Sequence, residues 1–187
     1  DPDIFDMLEM SNKTSEEVFS LLDNLLKWTK SQLGKLTVIP QKLDISGLAD
    51  GVVEVMNSVA EVKHIKLIRT DHESFFVYVD IEMIKSILRN LISNAVKFSN
   101  PDSEIKVGIK AEDGKVIVSV TDSGKGIKKE DQHKLLKDST HFTTYGTNSE
   151  EGSGLGLLLC RDFARKNGGE LWFESEENLG SVFIYRN

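Results

Sequence analysis

The sequence predicts an α+β fold: a two-layer sandwich in which a mixed β-sheet carries helices on one face, preceded by one long helix. Segments with helical and strand-like periodicity alternate from residue 44 onward, and some of the strands form hairpin-like pairs, a mixture typical of this class. The chain has 187 residues, of which 39% are hydrophobic and 28% charged. This length and composition suffice for one buried core with an appended element.

Charge and hydropathy exclude several functions. The formal net charge is −7, so nucleic acid and anionic membranes are excluded as partners bound by general electrostatics, and any anionic ligand must be bound locally. No apolar run reaches the roughly 18 residues of a membrane span. The first residues, DPDIFDMLEM, are too acidic for a signal peptide. Because the chain starts at Asp1 rather than at a methionine, we expect a piece of a longer protein.

The single cysteine, Cys160, lies within the apolar segment GLLLCRDF. One cysteine excludes an intramolecular disulfide and fits a reducing compartment. Its apolar neighbours favour a small buried hydrophobe over a nucleophile, so we assign it no chemistry.

One long amphipathic helix is predicted from about residue 12 to Gly34. Its apolar residues recur at intervals of three and four: Val18, Leu21, Leu22, Leu25, Trp28 and Leu33. The helix begins either at a capping box from Thr14 to Glu17 or earlier, running on from Met7. Since a single helix cannot bury such a stripe, we expect partner helices from an absent segment, from a second chain or from both.

Residues 35–43 are predicted to form an extended linker, because Pro40 cannot lie inside a helix and favours extended geometry at Ile39. This linker separates an N-terminal unit, residues 1–34, from a domain of residues 44–187. In that domain the periodicity predicts helices over Asp44–Glu61 and Ile81–Lys97 and a third from near Ser153. The predicted strands are IKLIRT, FFVYVD, EIKVGIKA, KVIVSVTD, GELWFESE and SVFIYR, with a polar stretch at Lys128–Ser149.

The helix from Ile81 to Lys97 carries an unusual polar stripe. Asn90, Asn94 and Lys97 follow one another at intervals of four and three, beside the apolar face. Asparagine is a mediocre helix former, so this stripe favours a functional explanation. An amide oxygen can ligate Mg²⁺ and an ammonium can contact phosphate. The alternative is an ordinary solvated helix face.

Two glycine-containing segments follow. In VTDSGKGI, Asp122 ends an apolar strand and can accept a hydrogen bond from a ligand amine, while Gly124 and Gly126 let the backbone approach a planar ring; the alternative is a simple turn. In EGSGLGLLLC, Gly152, Gly154 and Gly156 precede a helix whose N-terminal amides can bind an anion. The spacing differs from both the dinucleotide motif and the P-loop motif.

In order and spacing, four segments resemble the boxes of histidine kinases. NLISNAVKFS is similar to the N box, DSGKGI to the first glycine box, HFTTYGT to the F box and GSGLGL to the second glycine box. The hairpin GELWFESEENLGSVF resembles the closing one, with its glycine box at Gly180 and Ser181. LLDNLLKWTKSQLGKL is similar to the second helix of the dimerisation stalk, so the resemblance covers essentially the whole chain.

The resemblance implies roles for individual residues in binding ATP and Mg²⁺. Asn94 is implied to hold Mg²⁺, Lys97 to contact phosphate and Phe98 to pack on the nucleotide. Asp122 is implied to receive the adenine amine, with Gly124 and Gly126 lining the base. The implied ATP-binding residues are Asn94, Lys97, Phe98, Asp122, Gly124, Gly126, Ile127, Thr143, Thr144, Gly152, Ser153, Gly154, Leu155, Gly156, Leu157 and Ser181.

The resemblance also identifies an ATP lid, from about Lys128 to Glu151, with Thr143 and Thr144 in its hinge. Many relatives carry a lid arginine that reaches the γ-phosphate, but the segment between Lys128 and Gly152 has none. Lys134 or Lys137 is an alternative.

The four histidines lie in the predicted domain and not on the N-terminal helix: His64, His72, His133 and His141. The phosphoacceptor histidine is therefore expected to lie outside the chain.

ATPases of this superfamily, such as gyrase B and MutL relatives, place a water-activating glutamate where Asn90 stands. An amide is no general base at neutral pH, so we expect slow ATP hydrolysis and γ-phosphate transfer to a histidine, with Asn90 orienting that histidine. The alternatives are an ATP-binding regulatory module or pseudokinase without transfer, and an ATPase or serine-directed kinase.

The resemblance implies a homodimeric parent whose stalk helices pair and which passes phosphate to the receiver domain of a response regulator. We expect a cytoplasmic domain, either alone or as part of a membrane-anchored sensor.

Overall fold

The computed structural model describes residues 2–136, 145–148, 150 and 154–187. The chain divides into two compact units, Asp1–Thr37 and Val38–Asn187. Within the described ranges, no helix combines the length and the apolar character needed to cross a lipid bilayer.

The N-terminal unit consists mainly of one helix, α1 (Pro2–Gln32). The predicted start near residue 12 is wrong, and so is the capping box at Thr14, because the helix runs through that residue. The alternative, a helix that runs on from Met7, is nearer to the observed start at Pro2. Proline suits the first position of a helix, where its missing N–H removes no bond. The helix stops before Gly34, whose φ of +65° suits a C-terminal cap. Several residues of the predicted apolar stripe are exposed: Val18, Leu21, Leu22, Leu25 and Leu33.

A five-stranded mixed sheet forms the core layer of the second unit. Its strand order is β2 (Lys66–Arg69), β4 (Glu104–Glu112), β5 (Lys115–Asp122), β7 (Gly180–Arg186) and β6 (Glu170–Glu176). Only the β2–β4 pairing is parallel; the β4–β5 and β6–β7 neighbours are antiparallel hairpins, as the sequence suggested. The predicted α+β class is thus confirmed.

Three helices cover this sheet: α2 (Ile45–Glu61), α3 (Ile81–Phe98) and α5 (Gly156–Lys166). Along β4, Ile105 and Val107 are buried whereas Lys106 is exposed, an alternation that marks one covered face. The third helix begins at Gly156 rather than near Ser153, which lies outside the described residues.

Two short elements were not predicted from the sequence. The predicted linker, residues 35–43, overlaps β1 (Gln41–Asp44), which pairs antiparallel with β3 (Phe76–Val79) in a separate two-stranded sheet. The polar stretch contains a single-turn helix, α4 (Lys129–Gln132). Four-residue elements carry too little periodicity to be recognised without their pairing partners.

Asp80 fixes the start of α3. Its carboxylate accepts hydrogen bonds from the N–H of Met83 at 3.1 Å and from the N–H of Ile39 at 2.9 Å. The side-chain oxygen of Asn167, after α5, accepts from the Asp80 N–H at 2.7 Å. One buried aspartate thus joins the segment before β1 and the ends of two helices, and so sets where α3 presents its polar stripe.

Cys160 is confirmed as a buried residue, with its Sγ 3.9 Å from the carbonyl oxygen of Ile87. Burial raises the pKa of the Cys160 thiol well above its ordinary value. We therefore expect a thiol reagent at neutral pH to label Cys160 at least about 100-fold more slowly in the native protein than in denaturant. Absorbance measures the labelling rates, and comparable rates in the native and the denatured protein would contradict this burial.

Candidate nucleotide-binding site

The polar stripe of α3 occupies a half-buried position. Asn90, Asn94 and Lys97 are all intermediate in exposure, whereas the fully solvated face of α3 includes Lys85 and Arg89. The polar stripe is therefore not the solvent-exposed face of α3, which was the alternative interpretation. Mediocre helix formers placed where the surface is partly enclosed support a binding role for the stripe.

Asn90 links the stripe to the start of α5. Its side-chain Nδ2 donates to the carbonyl oxygen of Ser86 at 2.9 Å, so the amide oxygen remains as an acceptor. A Cβ at Gly156 would lie only 2.8 Å from that oxygen. A larger residue at Gly156 would require the Asn90 side chain to shift, so glycine lets this amide lie directly against the start of α5.

The N-terminus of α5 has the features of an anion site. Leu155 caps the helix without a side-chain hydrogen bond, and Gly154 precedes it with a φ of +68°. The first amide to donate to the cap is that of Leu159, which bonds the Leu155 carbonyl oxygen at 2.9 Å. The amides of Gly156 and Leu157 therefore have no acceptor within the helix, and they lie at its positive end.

Asp122 ends β5 opposite Ser181 on β7 and is buried, with 7% of its surface exposed. Burial raises the pKa of the Asp122 carboxyl above its ordinary value, although hydrogen bonds from the backbone amides of Gly124 and Ser181 oppose the rise. The Gly124 N–H donates to Oδ1 at 2.9 Å. This carboxylate is thus held in a fixed orientation away from bulk water, as an acceptor for a ligand amine must be.

Both glycines of DSGKGI face protein backbone. A Cβ at Gly124 would lie 2.1 Å from the carbonyl oxygen of Phe98, and one at Gly126 would lie 1.9 Å from that of Glu176. The segment is therefore wedged between the end of α3 and the β6–β7 hairpin. Packing alone requires these glycines, and their lining of a base remains a prediction.

Hydroxyl groups fasten the same segment to the hairpin. The Ile127 N–H donates to Ser175 Oγ at 2.8 Å, and the two hydroxyls of Ser175 and Ser181 lie 2.9 Å apart. From α4, Gln132 Nε2 donates to the carbonyl oxygens of Ile127 and Ser175 at 3.0 and 2.9 Å. Ile127 and Ser181, both predicted site residues, are thus part of one hydrogen-bonded network beside Asp122.

Two lysines flank the ring of Phe98 at the end of α3. Lys97 Nζ lies 5.1 Å and Lys125 Nζ 4.8 Å from the ring centroid. Burial lowers the pKa of Lys125, and the nearby Glu150 carboxylate partly opposes this shift. Lys125 lies within DSGKGI but was not among the residues predicted for the site. A cluster of two cations and an aromatic ring suits a phosphate-bearing ligand.

Several predicted residues lie outside the described part of the chain: Lys137, His141, Thr143, Thr144, Gly152 and Ser153. Lys134, one alternative to a lid arginine, forms an ion pair with Asp131 at 2.6 Å.

Taken together, the mixed sheet, the amide stripe, the buried aspartate and the glycine-led helix define a domain of the ATP-binding kinase class. Residues 79–186 match the family model of the histidine kinase-, DNA gyrase B- and HSP90-like ATPases, and the chain belongs to this family.

The relatives are sensor kinases. The chain is similar to the adaptive-response sensory kinase SasA of Crocosphaera subtropica, with 34% identity over 167 residues that make up 88% of this chain and 43% of that protein. It is also similar to the solved catalytic domain of the histidine kinase ThkA, with 31% identity, a TM-score of 0.67 and coverage of 79% of this chain and 94% of that one.

Full-length ShkA, solved in complex with AMPPNP, shares the fold, with 23% identity, a TM-score of 0.75 and coverage of 93% of this chain and 36% of that one. The chain spans less than half the length of the SasA relatives, as the 43% coverage shows. It is an ATP-binding kinase domain of the type found in two-component sensor histidine kinases.

Proposed function

We propose that this chain binds Mg²⁺ and ATP and, within a longer protein, positions the γ-phosphate for transfer to a histidine. The observation that carries the proposal is the approach of Asn90 to Gly156, which brings the amide stripe of α3 to the anion-binding start of α5. The AMPPNP bound by ShkA, a protein of the same fold, supports a nucleotide as the ligand.

The residues present suit this ligand. Asp122 would accept the adenine amine, while Lys97 and the amides of Gly156 and Leu157 would hold the phosphates. Asn94 would supply an oxygen ligand to Mg²⁺. Within the described residues, the Asn94 side chain makes no hydrogen bond that a metal would have to replace. The bound Mg²⁺ would neutralise charge on the phosphates.

Asn90 would serve the acceptor histidine. Its Nδ2 is already bonded to Ser86, so its Oδ1 is oriented to accept a hydrogen bond from an imidazole N–H. That bond would direct the other ring nitrogen toward the phosphorus. Since an amide cannot take a proton from water at neutral pH, hydrolysis stays slow and the γ-phosphate is retained for transfer.

The partners follow from this role and are equally proposals. We place α1, with its exposed apolar stripe, as part of a dimerisation stalk that pairs with stalk helices of the same chain or of a second one. The acceptor histidine would come from outside this chain, and the next recipient would be the receiver domain of a response regulator. Such a parent would act as a homodimer, with this domain on the cytoplasmic side.

Asn94→Ala tests the metal role. Wild-type chain is expected to bind ATP about tenfold more tightly in Mg²⁺ than in EDTA, and the variant should lose this difference while keeping its metal-free affinity. Isothermal titration calorimetry measures both values, with Asn57→Ala on α2 as the control. Equal Mg²⁺ dependence in Asn94→Ala and wild type would remove Asn94 from the site.

The transfer itself needs a longer chain. A parent protein that includes a stalk histidine should incorporate label from γ-³²P-ATP as a phosphate that is stable to base and labile to acid. The 187-residue chain alone should release phosphate only slowly. Rapid steady release from this chain, or an acid-stable label in the parent, would favour an ATPase or a hydroxyl-directed kinase instead.

A further inference from the structure

We propose that Lys63 is a positioning residue whose buried ammonium holds the C-terminal end of the lid against the end of α3 and so orders the phosphate side of the site. We call Lys63, Thr147 and Glu150 the clasp. The inference rests on the nucleotide site proposed above and adds Lys63, which lies outside all the motifs of the sequence, together with Thr147 and Glu150, which were not among the predicted site residues.

The Lys63 ammonium has three N–H donors, which four nearby acceptors share. It donates to the carbonyl oxygens of Val96 and Lys97 at 3.0 and 3.1 Å, to Thr147 Oγ1 at 2.7 Å and to Glu150 Oε1 at 2.9 Å. Only 6% of its side chain is exposed. A charge so buried needs full pairing, and here the pairing is divided between a helix end and the lid.

The helix end has a physical need for such a partner. The last carbonyl groups of a helix lack intrahelical donors and lie at its negative pole, where a cation is stabilising. Lys63 meets this need at Val96 and Lys97 from a position between α2 and β2. Two carbonyl oxygens alone would leave one of the three N–H groups of the ammonium unpaired and its charge uncompensated. The contacts to Thr147 and Glu150 extend the role to the lid.

The clasp seats the lid on Lys97. The Thr147 N–H donates to the Lys97 carbonyl oxygen at 3.1 Å, and Thr147 Oγ1 donates to that of Ser99 at 2.7 Å. A Cβ at Gly146 would lie 2.7 Å from Lys97 Cγ, so the lid backbone packs on the stem of that lysine. Lys125 Nζ also donates to the Tyr145 carbonyl oxygen. The backbone of the lid therefore packs beside Lys97, the residue proposed to contact phosphate.

Glu150 joins the C-terminal end of the lid to Lys63 and to the lid's own backbone. Besides its ion pair with Lys63, its Oε2 accepts from the Asn148 N–H at 2.8 Å, and its carbonyl oxygen accepts from the Gly146 N–H at 2.9 Å. Burial alone would raise the pKa of Glu150, but the bonds from Lys63 and Asn148 outweigh it and the pKa is lowered. The carboxylate is thus charged at neutral pH and anchors a turn four residues before Gly154.

These contacts define what the clasp controls. They hold the lid backbone of Gly146 and Thr147 against Lys97, whereas Asp122 is held by other bonds, from Gly124 and Ser181. Loss of the clasp should therefore weaken recognition of the phosphates and leave recognition of the adenine ring unchanged. A residue needed only for folding would weaken both alike.

Lys63→Met in the full 187-residue chain tests this. By NMR, hydrogen exchange at the Thr147 and Asn148 amides should become at least about tenfold faster, with no change in the β4–β5 hairpin. ATP affinity should fall about tenfold, while adenosine affinity, measured by competition, stays constant. Lys66→Met, which removes an exposed lysine three residues on, should behave as wild type.

Thr147→Val provides a second variant should Lys63→Met fail to fold. It removes a clasp hydroxyl without removing the buried ammonium, and it should give the same local exchange and the same selective loss of ATP affinity. Wild-type exchange at Asn148 in the folded variants would overturn the inference, as would parallel losses for ATP and adenosine. If the wild-type chain bound no ATP, the proposed function would fail, and the exchange data alone would decide the clasp.

Discussion

Asp122→Ala is expected to weaken ATP binding by about 5- to 150-fold, the equivalent of roughly 1–3 kcal/mol. The carboxylate is buried, and backbone amides of Gly124 and Ser181 fix its orientation. Removing it would leave the adenine amine without an acceptor in a place that water reaches poorly. An unsatisfied buried donor costs more than a hydrogen bond between exposed groups contributes.

Base selectivity separates this effect from a general loss of structure. Guanine presents a carbonyl oxygen where adenine presents an amine, and a carboxylate repels it. Asp122→Ala should therefore reduce the preference for ATP over GTP as well as the affinity for ATP. Fluorescence competition measures both, with Glu54→Ala on the exposed face of α2 as the control for a lost carboxylate. An unchanged ATP-to-GTP ratio would remove Asp122 from the base site.

The polar stripe of α3 in the candidate site was predictable because its signal is periodic. Three residues within two helical turns must share a stripe once the helix is recognised, and the apolar face of α3 identifies the helix. Asp122 was predictable for a similar reason, because it directly ends an apolar strand. In both cases the positions of neighbouring residues along the chain decide which way the side chain faces.

The clasp was not predictable in this way. Lys63 and its lid partners Thr147 and Glu150 are 84 and 87 residues apart in the chain, and no local pattern distinguishes this lysine from an exposed one. The structure also gives Gly124 and Gly126 a role that the sequence concealed. A glycine that admits a ligand and one that admits another backbone segment have the same local sequence, so only tertiary contacts distinguish them.

Gly126→Ala is expected to destabilise the domain by about 2–5 kcal/mol, more than alanine at another left-handed glycine. The φ of +61° alone disfavours a side chain by roughly 1–2 kcal/mol. In addition, the new Cβ would lie 1.9 Å from the Glu176 carbonyl oxygen. A clash with backbone requires the β6–β7 hairpin to move, at a further cost of about 1–3 kcal/mol.

Gly114→Ala is the matched control, because Gly114 has a similar φ of +74° but no atom within 4 Å of the added Cβ. The difference between the two variants in urea unfolding isolates the steric term from backbone strain. The effect should extend to binding, since Ser175 and Ser181 sit on that hairpin and Ser181 donates to Asp122. Equal destabilisation by the two substitutions would mean that the β6–β7 hairpin moves at Glu176 without a cost in free energy. Gly126 would then have no part in fixing the orientation of Asp122.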